Sequence, residues 1–517
     1  HYSAVGRINM PQLKQPVTLK DKCLQECVNL YCGTLARWIS ILRQAEASIR
    51  IGYCSTEISV LAECRQIERS LSEFPYFIIE MMSPQLTKKF ADMITNYNYN
   101  SRYIQNVFLD RERRSRLCSA MFRSVLTPHV YEYNEEIVSS SFTQELLIQT
   151  LDSVPGLRTL HLRFRTSSIE GDPGGLAKMI YHLRHLQIFT YEYHCTDEVI
   201  EQLGLHCTHL KMVSLCLSFR VTNASAKHLL QLKKLEILNL CGTGIDKKHY
   251  AFLLSKLPQI KEIVFRKKDD YILDHVAEKN LNKISHVRGN VEDISKLARR
   301  CRNITNLDIC LFTEDLSGLA ALATLHTLRL ARGDYAKCNL NAVLTDIGHR
   351  LTDLTLYLIK HINLQDIITL CPSLSSLTLS LCTLSSLDPD TQLDPQLPHF
   401  RNLSSLHIVN IRDHERSRDY IRHYVSLKTI RLDLVNIFTV EFMREVVRTG
   451  TLADLEDIAV YECEPHAMTV EALELLIKHC SHLKRIKYVE TCRLIPRSFI
   501  EELKLRLLVQ NFDLEII

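Results

Sequence analysis

The stretch LKMVSLCLSFRVTNASAKHLLQLKKLEILNL, residues 210–240, has the same short pattern at both ends. Each copy contains an apolar anchor, two residues, a second apolar residue, one further residue and a third apolar residue. LKMVSL begins at Leu210 and LEILNL begins at Leu235. The segment between the two copies carries apolar residues at helical spacing. The sequence therefore predicts a short strand, a helical return and a second strand.

The pattern recurs from residue 157 onward, with anchors about 20 to 29 residues apart, which is the period of leucine-rich repeats. A single repeat cannot bury its apolar edge, but stacked repeats share one core. We therefore predict an α/β fold, a leucine-rich-repeat solenoid over residues 127–517. A fainter copy begins at Ile284, and the clear anchors are Leu157, Leu186, Leu210, Leu235, Ile260, Ile304, Leu325, Leu351, Leu374, Leu403, Leu427, Leu455 and Leu483.

Several repeats resemble the cysteine-containing, ribonuclease-inhibitor-like class, as in HCTHLKMVSLCL and CRNITNLDIC. Histidines stand beside some cysteines, but each cluster recurs with the repeat, and a zinc site needs four convergent ligands. We expect neither a metal nor a cofactor. The resemblance implies that the following residues are buried structural thiols: Cys207, Cys216, Cys301, Cys310, Cys371, Cys382, Cys480 and Cys492.

The composition favours a folded protein with local rather than general electrostatic recognition. The chain has 517 residues, is 46% hydrophobic and carries a net charge of +4. Near-balanced charge gives no general attraction to nucleic acid or anionic membrane, so we expect neither partner. The 18 cysteines are scattered without paired metal spacing, which favours a reducing compartment, the cytoplasm or the nucleus. Catalytic motifs such as GxSxG, HExxH and a glycine-rich phosphate loop are absent, so we expect no enzyme.

Two kinds of segment interrupt the repeat plan. Residues 1–9 match no later pattern and are interpreted as a cloning remnant, with Met10 as the native start. Polar insertions at 165–175, 383–400 and 411–420 predict loops on the solenoid. Such loops could frame a binding site or could simply be tolerated.

Residues 10–126 do not repeat and predict an all-helical module. Its first helix lies in VTLKDKCLQECVNLY, residues 17–31, where Thr18 is a natural N-cap and Asp21 completes a capping box. The helix should begin at Leu19, and a further helix is expected from Gly33. The helix that begins at Leu19 has two apolar stripes, one with Leu19, Cys23, Cys27 and Tyr31, and a second with Leu24, Val28 and Leu30.

Two motifs in this module resemble docking sequences of ubiquitin-ligase receptors. TLKDKCLQEC is similar to the BC-box of Elongin-binding proteins, in particular that of the von Hippel–Lindau type (VHL-box). The resemblance implies binding to Elongin C, with Elongin B, through Thr18, Leu19, Cys23 and Cys27. FPYFIIEMM resembles a cullin-2 box. That resemblance implies binding to cullin-2, with its RING subunit, through Phe74, Pro75, Ile78 and Met82.

In this order, and ahead of a repeat array, the motifs resemble the leucine-rich-repeat substrate receptors of cullin-2 RING ubiquitin ligases, which include PRAME-like and Zyg-type proteins. The resemblance implies a non-catalytic substrate-recognition subunit that binds a protein substrate or degron. Side chains alternating with the buried strand positions should face that partner. Basic ones predominate, which favours an acidic peptide, and the candidates are His161, Arg163, Arg266, Arg329, Tyr357, His407, Arg431, Tyr461 and Lys487.

Two alternatives stay open at the level of sequence. FPYFIIEMM also resembles the core of an F-box, which would make the chain an F-box-like receptor that docks to SKP1. The chain could instead be a ligase-independent scaffold or inhibitor, in which the N-terminal helices only cap the array.

Overall fold

The structure is a computed structural model of the chain. It describes residues 19–47, 53–103, 111–133, 140–163, 175–265, 271–311, 315–385, 402–411, 426–434, 437–461, 468–510 and 512–516. The chain forms two compact units, an N-terminal unit of residues 17–264 with 274–280, and a C-terminal unit of residues 265–273 and 281–517. The three predicted insertions fall almost entirely outside the described residues.

The N-terminal unit begins with four helices and continues with strands that alternate with short helices. The helices are α1 (Leu19–Ala47), α2 (Tyr53–Glu73), α3 (Tyr76–Tyr103), α4 (Arg111–Arg123), α5 (Ser141–Gln149), α6 (Leu176–Met179), α7 (Asp197–His206), α8 (Ala226–Leu229) and α9 (Lys247–Lys256). The strands are β1 (Glu132–Tyr133), β2 (Thr159–Arg163), β3 (Ile188–Glu192), β4 (Met212–Ser214) and β5 (Ile237–Asn239).

Residues 262–281 belong partly to one unit and partly to the other. This stretch contains β6 (Glu262–Phe265), α10 (Tyr271–His275) and α11 (Glu278–Leu281). The C-terminal unit then contains α12 (Ile294–Arg300), α13 (Leu340–Ile347), α14 (Leu364–Leu370), α15 (Val440–Thr449), α16 (Val470–His479) and α17 (Arg497–Val509). Its strands are β7 (His286–Val291), β8 (Asn306–Leu311), β9 (Thr327–Asp334), β10 (Asp353–Lys360), β11 (Ser376–Ser380), β12 (Ser405–Val409), β13 (Thr429–Asp433), β14 (Asp457–Tyr461), β15 (Arg485–Lys487) and β16 (Glu515–Ile516).

The strands form parallel sheets in chain order, one with β1–β5 and one with eleven strands, β6–β16. Each predicted repeat supplies one strand, which begins two residues after its anchor, as β4 does after Leu210 and β10 after Leu351. The faint copy at Ile284 supplies β7 in the same way. The predicted α/β leucine-rich-repeat solenoid with an N-terminal all-helical module is confirmed. Only β1 and β16, two residues each, were not anticipated from the repeat pattern.

The core of each repeat consists of its anchor and the alternate residues of its strand. In β2 and in β11 the second and fourth residues are buried, while the residues between them are partly accessible. The anchors Leu157 and Leu374 have no exposed surface. Alternation arises because successive side chains of a strand point to opposite faces.

Backbone hydrogen bonds between repeats hold the stack together. The residue after each anchor donates its N–H to the preceding repeat, as Lys211 does to the carbonyl of Gln187 and Glu236 to that of Lys211, both at 2.8 Å. Buried thiols also donate hydrogen bonds to the preceding repeat. For example, the Sγ of Cys480 donates to the carbonyl of Leu452 at 3.2 Å. Each repeat thus satisfies polar groups of its neighbour that would otherwise be buried without partners.

Two sequence expectations are corrected by the fold. The helix expected to start at Gly33 does not exist separately, because α1 continues through this residue to Ala47. A lone glycine only lowers helix propensity, and the exposed surface around Gly33 places no atom within 4 Å of the position a Cβ would occupy. The second correction concerns Cys216 and Cys310, which are half-buried rather than buried. Cys310 follows the buried Ile309 within β8 and therefore points to the opposite, accessible face of the strand. Cys216 lies in the turn that follows β4, where its side chain is partly exposed.

A pair of glycines gives a direct test of the helix boundaries. Gly33 lies inside α1, whereas Gly450 ends α15 with a φ of 73°, and neither would bring a Cβ within 4 Å of another atom. We expect Gly33→Ala to stabilise the protein by about 0.5 to 1 kcal/mol, because alanine loses less backbone entropy in a helix. Gly450→Ala should destabilise it by about 1 kcal/mol, because a left-handed conformation strains an L-residue. Urea unfolding measures both changes. Equal effects of the two substitutions would contradict this assignment.

Candidate functional site

The first turns of α1 carry most of the BC-box residues. The helix begins at Leu19, as the capping pattern predicts, although Thr18 and the side chain of Leu19 lie outside the described part of the chain. Cys23 is exposed and Cys27 is half-buried. Two of the four predicted Elongin-binding side chains are therefore described, and both are at least partly accessible to solvent.

The opposite face of α1 is buried in the module. Val28, Leu35, Trp38 and Leu42 have at most 1% of their surface exposed. The indole Nε1 of Trp38 donates a hydrogen bond to Glu63 in α2 at 2.8 Å, so its polar atom is satisfied. This face fixes the orientation of the helix, because rotation of α1 would expose it.

Leu30 departs from the sequence expectation that it shares a stripe with Leu24 and Val28. Its side chain is 70% exposed, although it is a large apolar residue. Positions 19 and 30 are separated by about three helical turns, which places them on the same side of α1. Leu30 was assigned to the inner stripe because of its neighbours in sequence, whereas the helical period assigns it to the outward one. The outward side of α1 therefore includes Cys23 and Leu30.

The flank of α1 between these two faces is partly desolvated. Burial raises the pKa of the Tyr31 hydroxyl, and the neighbouring Cys27 adds to the increase. Burial likewise raises the pKa of the Cys32 thiol, while Lys89 in α3 acts in the opposite direction. Both groups stay protonated near neutral pH, so this flank presents neutral side chains around Cys27.

The segment that resembles a cullin-2 box spans the connection from α2 to α3. Pro75 is exposed, Phe74 and Ile78 are half-buried, and Met82 is buried with 1% of its surface exposed. Three other apolar side chains of the first turns of α3 are exposed, namely Tyr76, Phe77 and Met81. The rings of Tyr76 and Phe77 pack edge to face at 6.0 Å between centroids. The sequence motif did not single out these three residues.

The sheet face of the N-terminal unit carries two of the predicted partner-binding residues. Arg163 at the end of β2 forms an ion pair with Glu192 at the end of β3, at 2.9 Å between Nε and Oε2. Its backbone N–H also donates to the side chain of Gln144 at 2.8 Å. His161, two residues earlier, is half-buried. Arg266 lies outside the described residues.

Most of the other predicted residues form two adjacent rows across the C-terminal sheet. The strand register aligns Arg329 with Thr355, Thr378, His407, Arg431, Ala459 and Lys487. The next accessible row aligns Tyr357, Ser380, Val409, Asp433 and Tyr461. Residues that are far apart in sequence are therefore brought together by the parallel register.

A compact polar group occupies the centre of these rows. Arg431 binds Asp433 through Nε at 3.0 Å and Nη2 at 2.9 Å, and Nε2 of His407 lies 3.5 Å from the same carboxylate oxygen. Burial lowers the pKa of His407, so its imidazole is neutral at neutral pH. The Asp433 carboxylate raises the pKa of Arg431. The group thus presents a fixed guanidinium beside a neutral histidine.

An aromatic pair extends this group. The rings of Tyr461 and Tyr488 meet edge to face at 5.7 Å between centroids, with exposed fractions of 40% and 38%. Tyr488 has a φ of 63°, an uncommon value for a tyrosine. The partner-binding candidates were chosen from alternate strand positions. Tyr488 was not among them because it follows the end of β15. Arginine and tyrosine are the side chains that most often dominate protein interfaces.

Two further observations concern the described residues as a set. They contain no group of three or more histidine, cysteine, aspartate or glutamate side chains placed to hold a metal ion. A search of the same residues finds no helix with the length and apolar content that crossing a bilayer requires.

The sequence and the structure were compared with known proteins. No protein-family model matches the chain, and no curated protein matches it. Among solved structures it is similar to a leucine-rich-repeat protein of Leptospira interrogans, with 15% identity over 72% of this chain and 97% of that chain, and a TM-score of 0.32. It is also similar to a complex of Rad7 and Elc1 from yeast, with 14% identity, coverage of 69% and 89%, and a TM-score of 0.40. Internalin C2 of Listeria monocytogenes is 16% identical, with coverage of 46% and 84% and a TM-score of 0.24.

Proposed function

We propose that this chain is the substrate-recognition subunit of an Elongin B/C–cullin-2 ubiquitin ligase. The observation that carries the proposal is the two-faced helix α1. Its inner face is fixed by Trp38 and its neighbours, while its outward side carries motif residue Cys23 and the 70% exposed Leu30. Apolar side chains exposed together along one side of a fixed helix are the feature that a hydrophobic groove of a partner binds.

Docking would follow the helix-in-groove mode, in which the apolar side of a helix enters a hydrophobic groove of a partner. Leu19 would be the main anchor, with Cys23, Cys27 and Leu30 beside it. A rigid helix loses little conformational entropy on binding, because its orientation is already set by the module. Elongin C is the partner implied by the motif, and Elongin B accompanies it.

Contact with cullin-2 would be made by the start of α3. Met82 is buried, so the accessible motif residues are Pro75 and parts of Phe74 and Ile78. Tyr76, Phe77 and Met81 extend that surface with exposed apolar side chains. We assign cullin-2 binding to this set, and the RING subunit would be recruited through cullin-2.

The strand face would bind the protein substrate, and the chain would contribute no chemistry of its own. Arg329, Arg431 and Lys487 share one register row of the C-terminal sheet, next to Tyr461 and Tyr488. Such a surface suits a peptide with acidic and apolar side chains, since charge complementarity favours the correct partner. The cytoplasm or the nucleus, where most thiols are kept reduced and disulfides are transient, would be the place of action.

The docking helix can be tested with purified Elongin B/C. We expect a Leu19→Ser, Cys23→Phe double variant to weaken binding by at least about 2 kcal/mol, roughly 30-fold in Kd, because it removes the anchor and blocks the groove. Leu30→Ser should weaken binding by about 1 kcal/mol, roughly fivefold. Isothermal titration measures the affinities, and circular dichroism checks that each variant is folded.

Ile58→Ser is the matched control for this experiment. Ile58 lies on α2 in the same module and is 68% exposed, close to the value for Leu30, but belongs to neither motif. Its substitution should leave the affinity unchanged. Failure of the wild-type chain to bind Elongin B/C would contradict the proposal. Binding of SKP1 in its place would favour an F-box-like receptor, and indifference to both adaptors would favour a scaffold or inhibitor.

The cullin surface makes a separate prediction. A Tyr76→Ser, Phe77→Ser double variant should still bind Elongin B/C but lose at least tenfold in affinity for cullin-2, because two exposed aromatic side chains are removed without changing α1. Size-exclusion chromatography of the mixture with cullin-2 measures assembly. Leu505→Ser, at a 61% exposed position on α17, is the control. Undiminished assembly of the double variant would exclude this surface.

A further inference from the structure

Two half-buried cysteines lie side by side in the turns that follow the neighbouring strands β4 and β5 of the N-terminal sheet. The register pairs Ser214 with Asn239, so Cys216 and Cys241, each two residues further along, are next to one another. The backbone confirms this placement, because the N–H of Leu217 donates to the carbonyl of Cys241 at 2.7 Å. Both cysteines are free thiols.

Local packing fixes the two backbones against each other. The side chain of Asn239 accepts a hydrogen bond from the N–H of Cys241 at 3.0 Å and donates one to the hydroxyl of Ser214 at 3.2 Å. Gly242 has a φ of 71°, and a Cβ there would lie 2.8 Å from the side chain of Leu217. The close approach of the strands at this point therefore depends on glycine.

The two thiols share an environment that differs from that of the other repeat cysteines. Both side chains are half-buried, and the two thiols lie close enough to interact. Burial raises the pKa of Cys216 to about 11, and the proximity of Cys241 and Glu192 adds to the increase. By contrast, the buried thiols of Cys207 and Cys480 donate to backbone carbonyls of the preceding repeat.

We propose that Cys216 and Cys241 are an oxidation site at which adjacent repeats become linked by a reversible disulfide bond. Leu215 and Leu217 donate their N–H groups to the carbonyls of Asn239 and Cys241, so the parallel hydrogen bonding continues past β4 to the two cysteines. Chains paired in this way lie about 4.7 to 4.9 Å apart, within the range of about 4.4 to 6.8 Å between the Cα atoms of disulfide-bonded cysteines. The bond needs only side-chain rotation, since the strand register already places the residues. The proposal is independent of the ligase function.

A small-molecule disulfide such as oxidised glutathione is the oxidant. One protein thiolate attacks a glutathione sulfur, which forms a mixed disulfide and releases one glutathione thiolate. The second protein thiol loses its proton, attacks the protein sulfur of the mixed disulfide and releases the second glutathione. The two protein thiols lose two electrons and two protons in total, and oxidised glutathione becomes two reduced molecules.

The full chain, equilibrated with mixtures of oxidised and reduced glutathione, provides the test. After free thiols are blocked with N-ethylmaleimide, trypsin should release residues 212–220 and 235–247, which contain one cysteine each. Mass spectrometry should detect these two peptides linked, and the link should disappear on reduction. The linked peptide should reach half of its maximum amount at a certain ratio of oxidised to reduced glutathione. That ratio should be at least tenfold lower than the ratio at which half of Cys310 carries glutathione.

Cys310 is the matched control because it stands at the same distance from its repeat anchor, Ile304, as Cys216 does from Leu210, and it has no cysteine beside it in the strand register. It is half-buried, and the register places it between Asn290 and Ala331. Ala331→Cys should create a second linked pair with Cys310 if register alone is sufficient. Cys216→Ser should remove the natural link and leave Cys241 as a glutathione adduct, with unchanged circular dichroism.

The rate of closure should rise between pH 7 and pH 9, because the high pKa of Cys216 keeps its thiol protonated at neutral pH. Any of four results would overturn the proposal. In the first, both cysteines carry glutathione without a linked peptide, and in the second, neither reacts while exposed Cys23 does. In the third, the linked peptide requires the same ratio of oxidised to reduced glutathione as the Cys310 adduct. In the fourth, the Ala331→Cys link forms but the natural pair does not.

Discussion

Backbone hydrogen bonds between successive parallel strands are the constraint on which the structure depends. A strand of three to eight residues cannot exclude water from its own apolar side chains. Each repeat buries its anchor and alternate strand residues only because the next repeat covers them, with its N–H groups bonded to the previous carbonyls, as Lys211 is to Gln187. The regular position of each repeat strand from β2 to β15, two residues after its anchor, follows from this stacking.

The same register creates the surfaces to which we assign functions. Because side chains alternate along each strand, residues of equal repeat position line up on the accessible face, which brings His407, Arg431 and Asp433 together from neighbouring repeats. It also places Cys216 beside Cys241. The N-terminal module follows another rule, since its helix α1 is fixed through one buried face and presents the other.

The sequence predicted the repeat strands well because thirteen clear copies constrain the period. The start of α1 was also predictable, since capping chemistry is local. The sequence-based predictions were wrong where the direction of a side chain depends on the helical or strand period and on tertiary packing. Leu30 was grouped with its sequence neighbours although the helical period places it outward. Cys216 and Cys310 were grouped with the buried thiols, although a turn after β4 exposes Cys216 and strand alternation exposes Cys310. The burial of Met82 and the position of Tyr488 depend on tertiary contacts that no local pattern encodes.

The central claim is that the outward side of α1 docks to Elongin C, and thiol footprinting of the unmodified chain tests it most directly. Cys23 is exposed on that side, while Cys310 on the C-terminal sheet serves as an internal reference. The alkylation rates of both thiols would be measured by mass spectrometry with and without saturating Elongin B/C. The account predicts that Elongin B/C slows alkylation of Cys23 at least tenfold and leaves Cys310 unchanged. An unchanged rate at Cys23 in the presence of saturating Elongin B/C would contradict it.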